Sequence, residues 1–165
     1  MKLIHIVGCK NDGKTSLIID LIKELNHRGL KVGTVKHGTH NSQFDTPGKD
    51  SCLQREAGSD PAAIVTKSQA AVFFSHKKGD LYPKLAFLFN DVDLVLVEGD
   101  KKSPGKKVEV WRKKIRPTPL CLARNDIMAV ITDDAVDEDL PVPVWSRRDI
   151  VKIADNICLL AEIYT

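Results

Sequence analysis

The sequence predicts an α/β protein of three layers, in which a mostly parallel β-sheet carries helices on both faces. Apolar segments of strand length alternate along the chain with segments of helical periodicity, which is the pattern of such sheets. The run Leu94–Val97 is apolar throughout and lies between Asp93 and Glu98, as expected of a central parallel strand. A chain of 165 residues fits a single domain over 1–165.

The first 36 residues predict a strand, a helix and a second strand. Leu3–Val7 is a short apolar strand interrupted only by His5. The helix after it has apolar residues at i, i+3, i+4 and i+7, and Gly29 is placed to end it. The second strand is predicted over Lys31–Lys36. The apolar positions of the helix are Ile18, Leu21, Ile22 and Leu25.

Beyond residue 36 the sequence predicts a polar loop followed by short elements. The loop covers His37–Lys49, and Asp50 is predicted to N-cap a short helix through Glu56 that stops at Gly58. The later strands are predicted at Ala62–Thr66, Ala70–Ser75, Leu94–Val97, Val108–Trp111, Ile127–Ile131 and Pro143–Trp145. The later helices are predicted around Tyr82–Phe89 and over about Arg147–Ile163.

A glycine-rich loop joins the first strand to the first helix. Gly8–Thr15 matches the pattern G-x-x-x-x-G-K-[ST] in full. Its two glycines let successive backbone amides face a polyphosphate, and the helix N-terminus adds to the attraction. Lys14 would reach the β- and γ-phosphates, and the Thr15 hydroxyl would bind Mg²⁺. The loop therefore predicts a P-loop NTPase-like fold with one nucleotide-binding domain. The predicted nucleotide site is formed by Gly8, Cys9, Lys10, Asn11, Asp12, Gly13, Lys14, Thr15 and Ser16.

Two carboxylates are candidates for the acid that a P-loop needs near its metal ion. Glu98 ends the central strand, where it would hold Mg²⁺ through water or orient the attacking water. Asp50 follows the polar loop that leaves the second strand, so it is predicted at the same edge of the sheet. We therefore predict Thr15, Asp50 and Glu98 as magnesium ligands. The predicted catalytic group is Lys14, Glu98 and Asp50. The alternative for Glu98 is a solvated acid at a strand end.

The histidines of this region allow a second type of metal site. His37 and His40 are three residues apart, as in some zinc sites, but no third ligand is fixed by spacing. We therefore favour a polar loop near the nucleotide over zinc. His5 lies inside the first strand and is predicted to be a core histidine with satisfied hydrogen bonds.

The charge distribution limits the classes of partner. The chain has 25 Lys and Arg against 22 Asp and Glu, and a net charge of +3 predicts no strong binding to nucleic acid or to a membrane. The segment 133–139 is acidic, and the carboxylate of Asp133 would be able to accept the N1 and N2 protons of guanine. A basic segment over 101–116 is either a solvated face or a site for an anionic ligand. Its basic residues are Lys101, Lys102, Lys106, Lys107, Arg112, Lys113, Lys114 and Arg116.

Cysteine usage and hydropathy predict a cytoplasmic protein. The four cysteines form no Cys-x-x-Cys pair, which favours reduced thiols over zinc or redox sites. The first apolar run is too short for a signal peptide. The other apolar runs are far shorter than the roughly 18 residues that a membrane span needs.

Several segments together resemble the molybdopterin-guanine dinucleotide biosynthesis protein B (MobB) family. They are Gly8–Thr15, Val35-Lys36-His37, Asp45-x-Pro47-Gly48-Lys49-Asp50-Ser51, Arg55-x-Ala57-Gly58 and Leu96-Val97-Glu98-Gly99-x-Lys101. Their order and spacing agree along essentially the whole chain. Two positions depart from the expected pattern. Cys9 stands where related P-loop proteins often have a lysine, which puts activation of a dimer by such a lysine in doubt. Asp100 stands where an aromatic residue is expected.

The resemblance implies a small P-loop GTP-binding protein, typically a homodimer, that assists maturation of the molybdenum cofactor. It implies GTP and Mg²⁺ as cofactors and weak GTP hydrolysis. The implied partner is the guanylyltransferase that joins GMP to molybdopterin, and molybdopterin itself is a further candidate ligand. Under this resemblance Gly8, Gly13, Lys14 and Thr15 bind phosphate and magnesium, with Asp50 and Glu98 as the acids. Two alternatives stay open, namely a P-loop small-molecule kinase and a partner protein that binds nucleotide without turnover.

Overall fold

The computed structural model describes residues 1–38, 45–77, 79–136 and 139–163. The contacts within the chain divide it into two compact units. The first unit is formed by Met1–His37 and Ala86–Thr165, and the second is Gly38–Leu85. A single domain over the whole chain stays a prediction.

The secondary structure alternates strands and helices through most of the chain. The strands are β1 (Leu3–Val7), β2 (Val32–Lys36), β3 (Ala62–Val65), β4 (Ala70–Phe73), β5 (Leu94–Glu98), β6 (Lys107–Val110), β7 (Ile127–Ile131) and β8 (Val144–Trp145). The helices are α1 (Lys14–His27), α2 (Asp50–Glu56), α3 (Leu81–Leu85) and α4 (Ile150–Leu160), with 3-10 turns at Ala86–Phe89 and Leu120–Leu122.

The first unit is built on a six-stranded sheet with the strand order β2-β5-β1-β6-β7-β8. Every pair of neighbouring strands in it is parallel. The register places Ile6 beside Glu98 on one side of β1 and beside Val108 on the other. The α/β class with a mostly parallel sheet is therefore confirmed. The loop after β1 leaves the sheet at its carboxyl edge, between the ends of β5 and β6, where ligands bind in open α/β sheets.

The two faces of the sheet are covered by different elements. On one face, alternate strand residues such as Ile4 and Leu96 pack with buried apolar residues of α1 and α4. On the other face, Val7, Trp111 and Val130 pack around Cys121 from the 3-10 turn after β6. Because β1, β5 and β6 are buried on both faces, the loops at their carboxyl ends are attached to a rigid support.

The second unit consists of α2, α3 and an antiparallel hairpin of β3 and β4. The hairpin is a separate two-stranded sheet. Among the described residues of this unit only Asp45, Cys52 and Ala62 are buried. The second unit therefore has a small core for its length.

Most predicted elements are confirmed within one or two residues, and three differ at their ends. The predicted N-cap of α2 was wrong, because Asp50 is already helical and Lys49 is the cap. Pro47 and Gly48 turn the chain before it, with Gly48 at φ 77°. The helix around 82–89 divides into α3 and a 3-10 turn. The last helix is shorter than predicted, because Asp149 caps it by accepting the Lys152 amide at 3.1 Å.

No helix in the described ranges is long and apolar enough to cross a bilayer.

Candidate functional site

The glycine-rich loop between β1 and α1 has the backbone geometry that phosphate binding requires. Gly8 and Gly13 have φ of 150° and 95°, and Asn11 has a φ of 70°. A Cβ atom on Gly8 would collide with the carbonyl oxygen of Val110 in β6, so only glycine fits there. Gly13 is the N-cap of α1 and carries no side chain over the first free amides of the helix. The loop therefore leaves the helix N-terminus open to an anion.

Two side chains of the loop are held by its own backbone. The Lys14 ammonium donates to the carbonyl of Cys9 at 2.5 Å. The Cys9 amide donates to the carboxylate of Asp12, a side chain that is only 1% exposed. Asp12 was predicted among the nucleotide-binding residues, but its side chain is turned into the loop. Its carboxylate acts here as a brace for the loop.

Glu98 and Thr15 form the second part of the site. The Thr15 hydroxyl lies 2.9 and 3.0 Å from the two carboxylate oxygens of Glu98. Lys36, at the end of β2, places its ammonium 3.8 Å from the same carboxylate. This geometry follows from the parallel sheet, because β2, β5 and β1 all end at the same edge. Glu98 therefore lies within hydrogen-bond distance of the residue that ends the loop, and its role in metal binding and catalysis stays a prediction.

The oxygen atoms of Thr15 and Glu98 suit a magnesium ion. A hydroxyl and a carboxylate are hard oxygen ligands, and Mg²⁺ in nucleotide sites is held by few protein oxygens together with phosphate and water. Among the described residues no group of three or more His, Cys, Asp and Glu side chains would hold a metal by themselves. In P-loop proteins a metal held by a hydroxyl and a carboxylate of this kind is shared with phosphate.

The other predicted metal and histidine positions are Asp50, His37 and His40. Asp50 belongs to the second unit, where it begins α2, so its role in magnesium binding stays a prediction. His37 follows β2, and its amide donates to the carbonyl of Glu98 at 3.0 Å. His40 lies outside the described residues.

The family-like segment at 45–51 has a structural role in the second unit. The Asp45 carboxylate is buried and accepts the amide of Thr46 and the hydroxyl of Ser51, both at 2.9 Å. The guanidinium of Arg55 lies 3.6 Å from the same carboxylate and over the ring of Phe73. This network holds the turn before α2 to the helix.

Three members of the basic segment are bound to carboxylates. The pairs are Lys106 with Glu162, Lys107 with Asp126 and Arg116 with Glu109. Lys107 and Glu109 are fully buried. Hydrogen bonds from Arg124, together with Lys107, hold the pKa of Asp126 well below its ordinary value. This part of the segment therefore serves the fold.

His5 is fully buried beside Lys107 and the loop at Gly105, which agrees with its predicted place in the core. Burial and the positive charge of Lys107 lower the pKa of His5, so its imidazole is neutral at pH 7.

The predicted base-reading acid, Asp133, is held by residues that follow β8. Its carboxylate accepts the hydroxyl of Ser146 at 2.8 Å and lies 3.5 Å from the guanidinium of Arg148. These two residues hold the pKa of Asp133 below its ordinary value, so it is ionised at neutral pH. Its contact with guanine stays a prediction.

Sequence reasoning assigned no individual role to Lys36 or Arg112. Lys36 faces Glu98, and Arg112 places its guanidinium against Gly13 of the loop. Only the strand order brings these residues to the loop, since they lie far from it in sequence. The sequence pointed to Lys36 only through the segment Val35-Lys36-His37, which resembles the MobB family.

Sequence comparison finds relatives over nearly the whole chain. The family model described as "Molybdopterin guanine dinucleotide synthesis protein B" matches residues 3–133. A molybdopterin-guanine dinucleotide biosynthesis adapter protein of Haemophilus influenzae is 35% identical over 157 residues, which are 94% of this chain and 86% of the relative. The adapter protein of the same description in Escherichia coli is 32% identical over 162 residues, which are 94% of this chain and 90% of the relative.

Solved structures share the fold. The crystal structure of Bacillus subtilis MobB superposes with a TM-score of 0.72 at 23% identity, and 97% of this chain covers 98% of that chain. A MobB homologue from Bacillus stearothermophilus gives a TM-score of 0.68 at 23% identity, with 99% and 100% of the two chains covered.

Proposed function

This chain belongs to the family of molybdopterin guanine dinucleotide synthesis protein B, and from that premise we propose that it is a GTP-binding adapter with weak GTPase activity. Its role is in molybdenum cofactor biosynthesis, where it assists the attachment of GMP to molybdopterin. The relatives in Haemophilus influenzae and Escherichia coli are both described as adapter proteins of this synthesis.

The open phosphate loop is the observation that carries nucleotide binding. Gly8 and Gly13 keep side chains out of the loop, and Lys14 is tethered next to the free amides that begin α1. When a polyphosphate binds, Lys14 exchanges the Cys9 carbonyl for phosphate oxygen, a stronger charge-assisted contact. The proposed preference for guanine over adenine rests on the family and on ionised Asp133, whose carboxylate would accept protons from the guanine base.

Thr15 and Glu98 are the residues that would hold Mg²⁺ in this proposal, together with phosphate oxygens. The ion would neutralise charge on the phosphates during hydrolysis. The hydrogen bond that Glu98 accepts from the Thr15 hydroxyl supports this proposal, in which Glu98 would bind the metal or orient a water molecule. Asp50 is kept as a third candidate ligand. Slow turnover suits a protein whose bound nucleotide signals to a partner.

Calorimetric titration of GTP with and without Mg²⁺ tests the nucleotide site. Lys14→Ala should weaken GTP binding by about a hundredfold, because it removes a charge-assisted contact to two phosphates. Glu98→Gln should weaken binding only when Mg²⁺ is present. Lys23→Ala, an exposed lysine of α1 away from the loop, is the matched control. If wild type and Lys14→Ala bind GTP equally poorly, the nucleotide site is lost as a proposal.

The proposed partners are the molybdenum cofactor guanylyltransferase and a second copy of this chain. The hairpin of the second unit supports the homodimer, because Ile64, Val65 and Val72 are exposed on it. Molybdopterin is a further candidate ligand of the assembly. The four free thiols at Cys9, Cys52, Cys121 and Cys158 suit a reducing compartment, so we place the protein in the cytoplasm.

The rival function is a small-molecule kinase that uses the basic segment to hold its acceptor. Lys106, Lys107 and Arg116 are bound to carboxylates and are not offered to an acceptor. The adapter is therefore the better supported proposal.

A further inference from the structure

Arg112 occupies a different environment from the paired basic residues of its segment. Its side chain is exposed and lies at the carboxyl edge of the sheet, two residues after β6. A Cβ atom built on Gly13 would lie 3.1 Å from Nη2 and 3.7 Å from Cζ of Arg112. The guanidinium therefore packs against the glycine that begins α1. Among the described residues it makes no hydrogen bond or ion pair.

The electrostatic surroundings of Arg112 are positive. The N-terminus of α1 carries a partial positive charge, and Lys14 follows Gly13 directly. A guanidinium at this position is repelled by both unless an anion lies between them. Its planar fork of donors matches phosphate geometry better than a lysine ammonium does. An arginine that contacts the loop and has no carboxylate partner in the described part of the chain thus fits a ligand phosphate.

The side of the loop on which Arg112 lies determines which phosphate it reaches. In the strand order β5-β1-β6, Glu98 ends the strand on one side of the loop and Arg112 follows the strand on the other. The Glu98 side holds the Thr15 hydroxyl and the proposed metal. Gly13 belongs to the part of a P-loop whose amides surround the α- and β-phosphates. Arg112 is therefore placed away from the γ-phosphate and the metal.

The backbone around Arg112 is fixed by neighbouring contacts. Its carbonyl accepts the amides of Ile115 and Arg116 at 3.0 and 3.1 Å, which closes a turn. The Trp111 indole, buried beside β1, donates to the Arg116 carbonyl at 3.0 Å. The guanidinium of Arg116 is in turn paired with buried Glu109. These contacts position Arg112 before a ligand arrives.

We infer that Arg112 binds the α/β-phosphate part of the nucleotide, opposite the magnesium side, and so contributes equally to GTP and GDP affinity. This inference rests on the proposed nucleotide-binding function. It assigns Arg112, a member of the basic segment, to the same nucleotide ligand as the P-loop.

Titration of the full chain with GTP and with GDP, both with Mg²⁺, tests the assignment. Arg112→Gln keeps much of the side-chain length but removes the charge. It should weaken GTP and GDP binding by the same factor of about ten or more, as expected for one charge-assisted hydrogen bond. Arg112→Lys should recover part of the loss, and Lys114→Gln in the same turn should bind like wild type. Thermal unfolding should show all three variants to be folded.

Several results would overturn the assignment. Arg112→Gln that binds both nucleotides like wild type, while Lys14→Ala does not, contradicts the role of Arg112 and leaves the proposed function in place. A loss confined to GTP would place Arg112 at the γ-phosphate instead. An equal loss of nucleotide affinity in Lys114→Gln would show that the effect comes from the lower net positive charge and not from a contact made by Arg112. A wild-type chain that binds neither nucleotide would overturn the inference and the proposed function together.

Discussion

At the scale of single residues, the site depends on side chains whose surroundings differ strongly within a short distance. Thr15 and Glu98 meet at the rim of the sheet, where water and ligand can reach them. Asp12 is turned into the loop, and His5 lies on the buried part of the same strand that leads to it. Exposed Thr15 and half-buried Glu98 are available for metal chemistry, whereas the buried residues fix the loop and strand that present them.

The titration of His5 provides a residue-scale prediction. Burial, followed by Lys107, lowers the pKa of His5 in the folded chain, although Asp100 and Asp126 oppose this. Below about pH 6.5 the unfolded chain therefore binds a proton that folded His5 does not, so stability falls as pH falls. We expect the free energy of unfolding to decrease from pH 7.5 to 5.5 more steeply in wild type than in His5→Gln, by at most about 1.4 kcal/mol per pH unit.

Urea unfolding at several pH values measures this slope. The exposed histidines at 27, 37 and 76 are common to both proteins, so their contribution cancels in the difference. His27→Gln is the matched control, because it removes an exposed histidine. Parallel slopes for wild type and His5→Gln would show that the imidazole is protonated equally in the folded and unfolded chains.

Site residues within or next to a recognisable sequence pattern could be predicted, whereas those that reach the loop only through the folded sheet could not. Lys14 and Thr15 follow from a contiguous motif, and Glu98 from its place after an unbroken apolar strand. The inward turn of Asp12 could not be predicted, because it depends on the positive φ values of Asn11 and Gly13 beside it and on the hydrogen bond from the Cys9 amide. Arg112 could not be placed beside Gly13 without knowing that β6 lies next to β1. The motif therefore identified the loop but not its neighbours.

At the scale of elements, hydrophobic periodicity predicted the strands and helices of the first unit well, since burial determines their pattern. The bounds of β1 and β7 agree with the prediction. Disagreement occurs at helix ends and in short apolar segments such as 82–89, where a 3-10 turn replaces the last α-helical turn. Caps and turns depend on one or two hydrogen bonds, and apolar spacing does not specify these.

The contact of β2 with the 3-10 turn at Ala86–Phe89 gives an element-scale prediction. A Cβ atom on Gly33 would lie 2.6 Å from Cδ1 and 2.7 Å from Cε1 of Phe89. Gly33→Ala should therefore overpack this contact and lower the free energy of unfolding by about 1–3 kcal/mol. Because β2 pairs with β5, which carries Glu98, the same change should also disturb the metal side of the site.

A double-mutant cycle measured by urea unfolding separates steric overlap from a change in strand propensity. In a Phe89→Leu background the added methyl group has more room, so Gly33→Ala should cost less there than in wild type. An equal cost in both backgrounds would assign the loss to the strand backbone and would contradict the proposed overlap.

At the scale of the whole molecule, the two units differ in how well each is buried by itself. The first has a continuous core between the sheet and α1 and α4. In the second, few of the described residues are buried, and the hairpin of β3 and β4 is the only sheet that they form. A two-stranded hairpin is marginally stable alone, and its unpaired edges are available to another chain. The overall charge of +3 opposes self-association only weakly.

The proposed homodimer is therefore expected to depend on the hairpin. Val65 is 75% exposed, so Val65→Lys should leave the fold of one copy nearly unchanged. In a dimer that buries the hairpin, the lysine would bring an unpaired charge into an apolar contact.

Sedimentation should give wild type about twice the chain mass of 18.3 kDa and Val65→Lys a single chain mass. Val151→Lys, on α4 and 52% exposed, is the matched control and should stay dimeric. A monomeric wild type would contradict the dimer, and a dimeric Val65→Lys would move its interface away from the hairpin. Retained GTP binding by the monomeric variant would show that the phosphate loop functions within one copy.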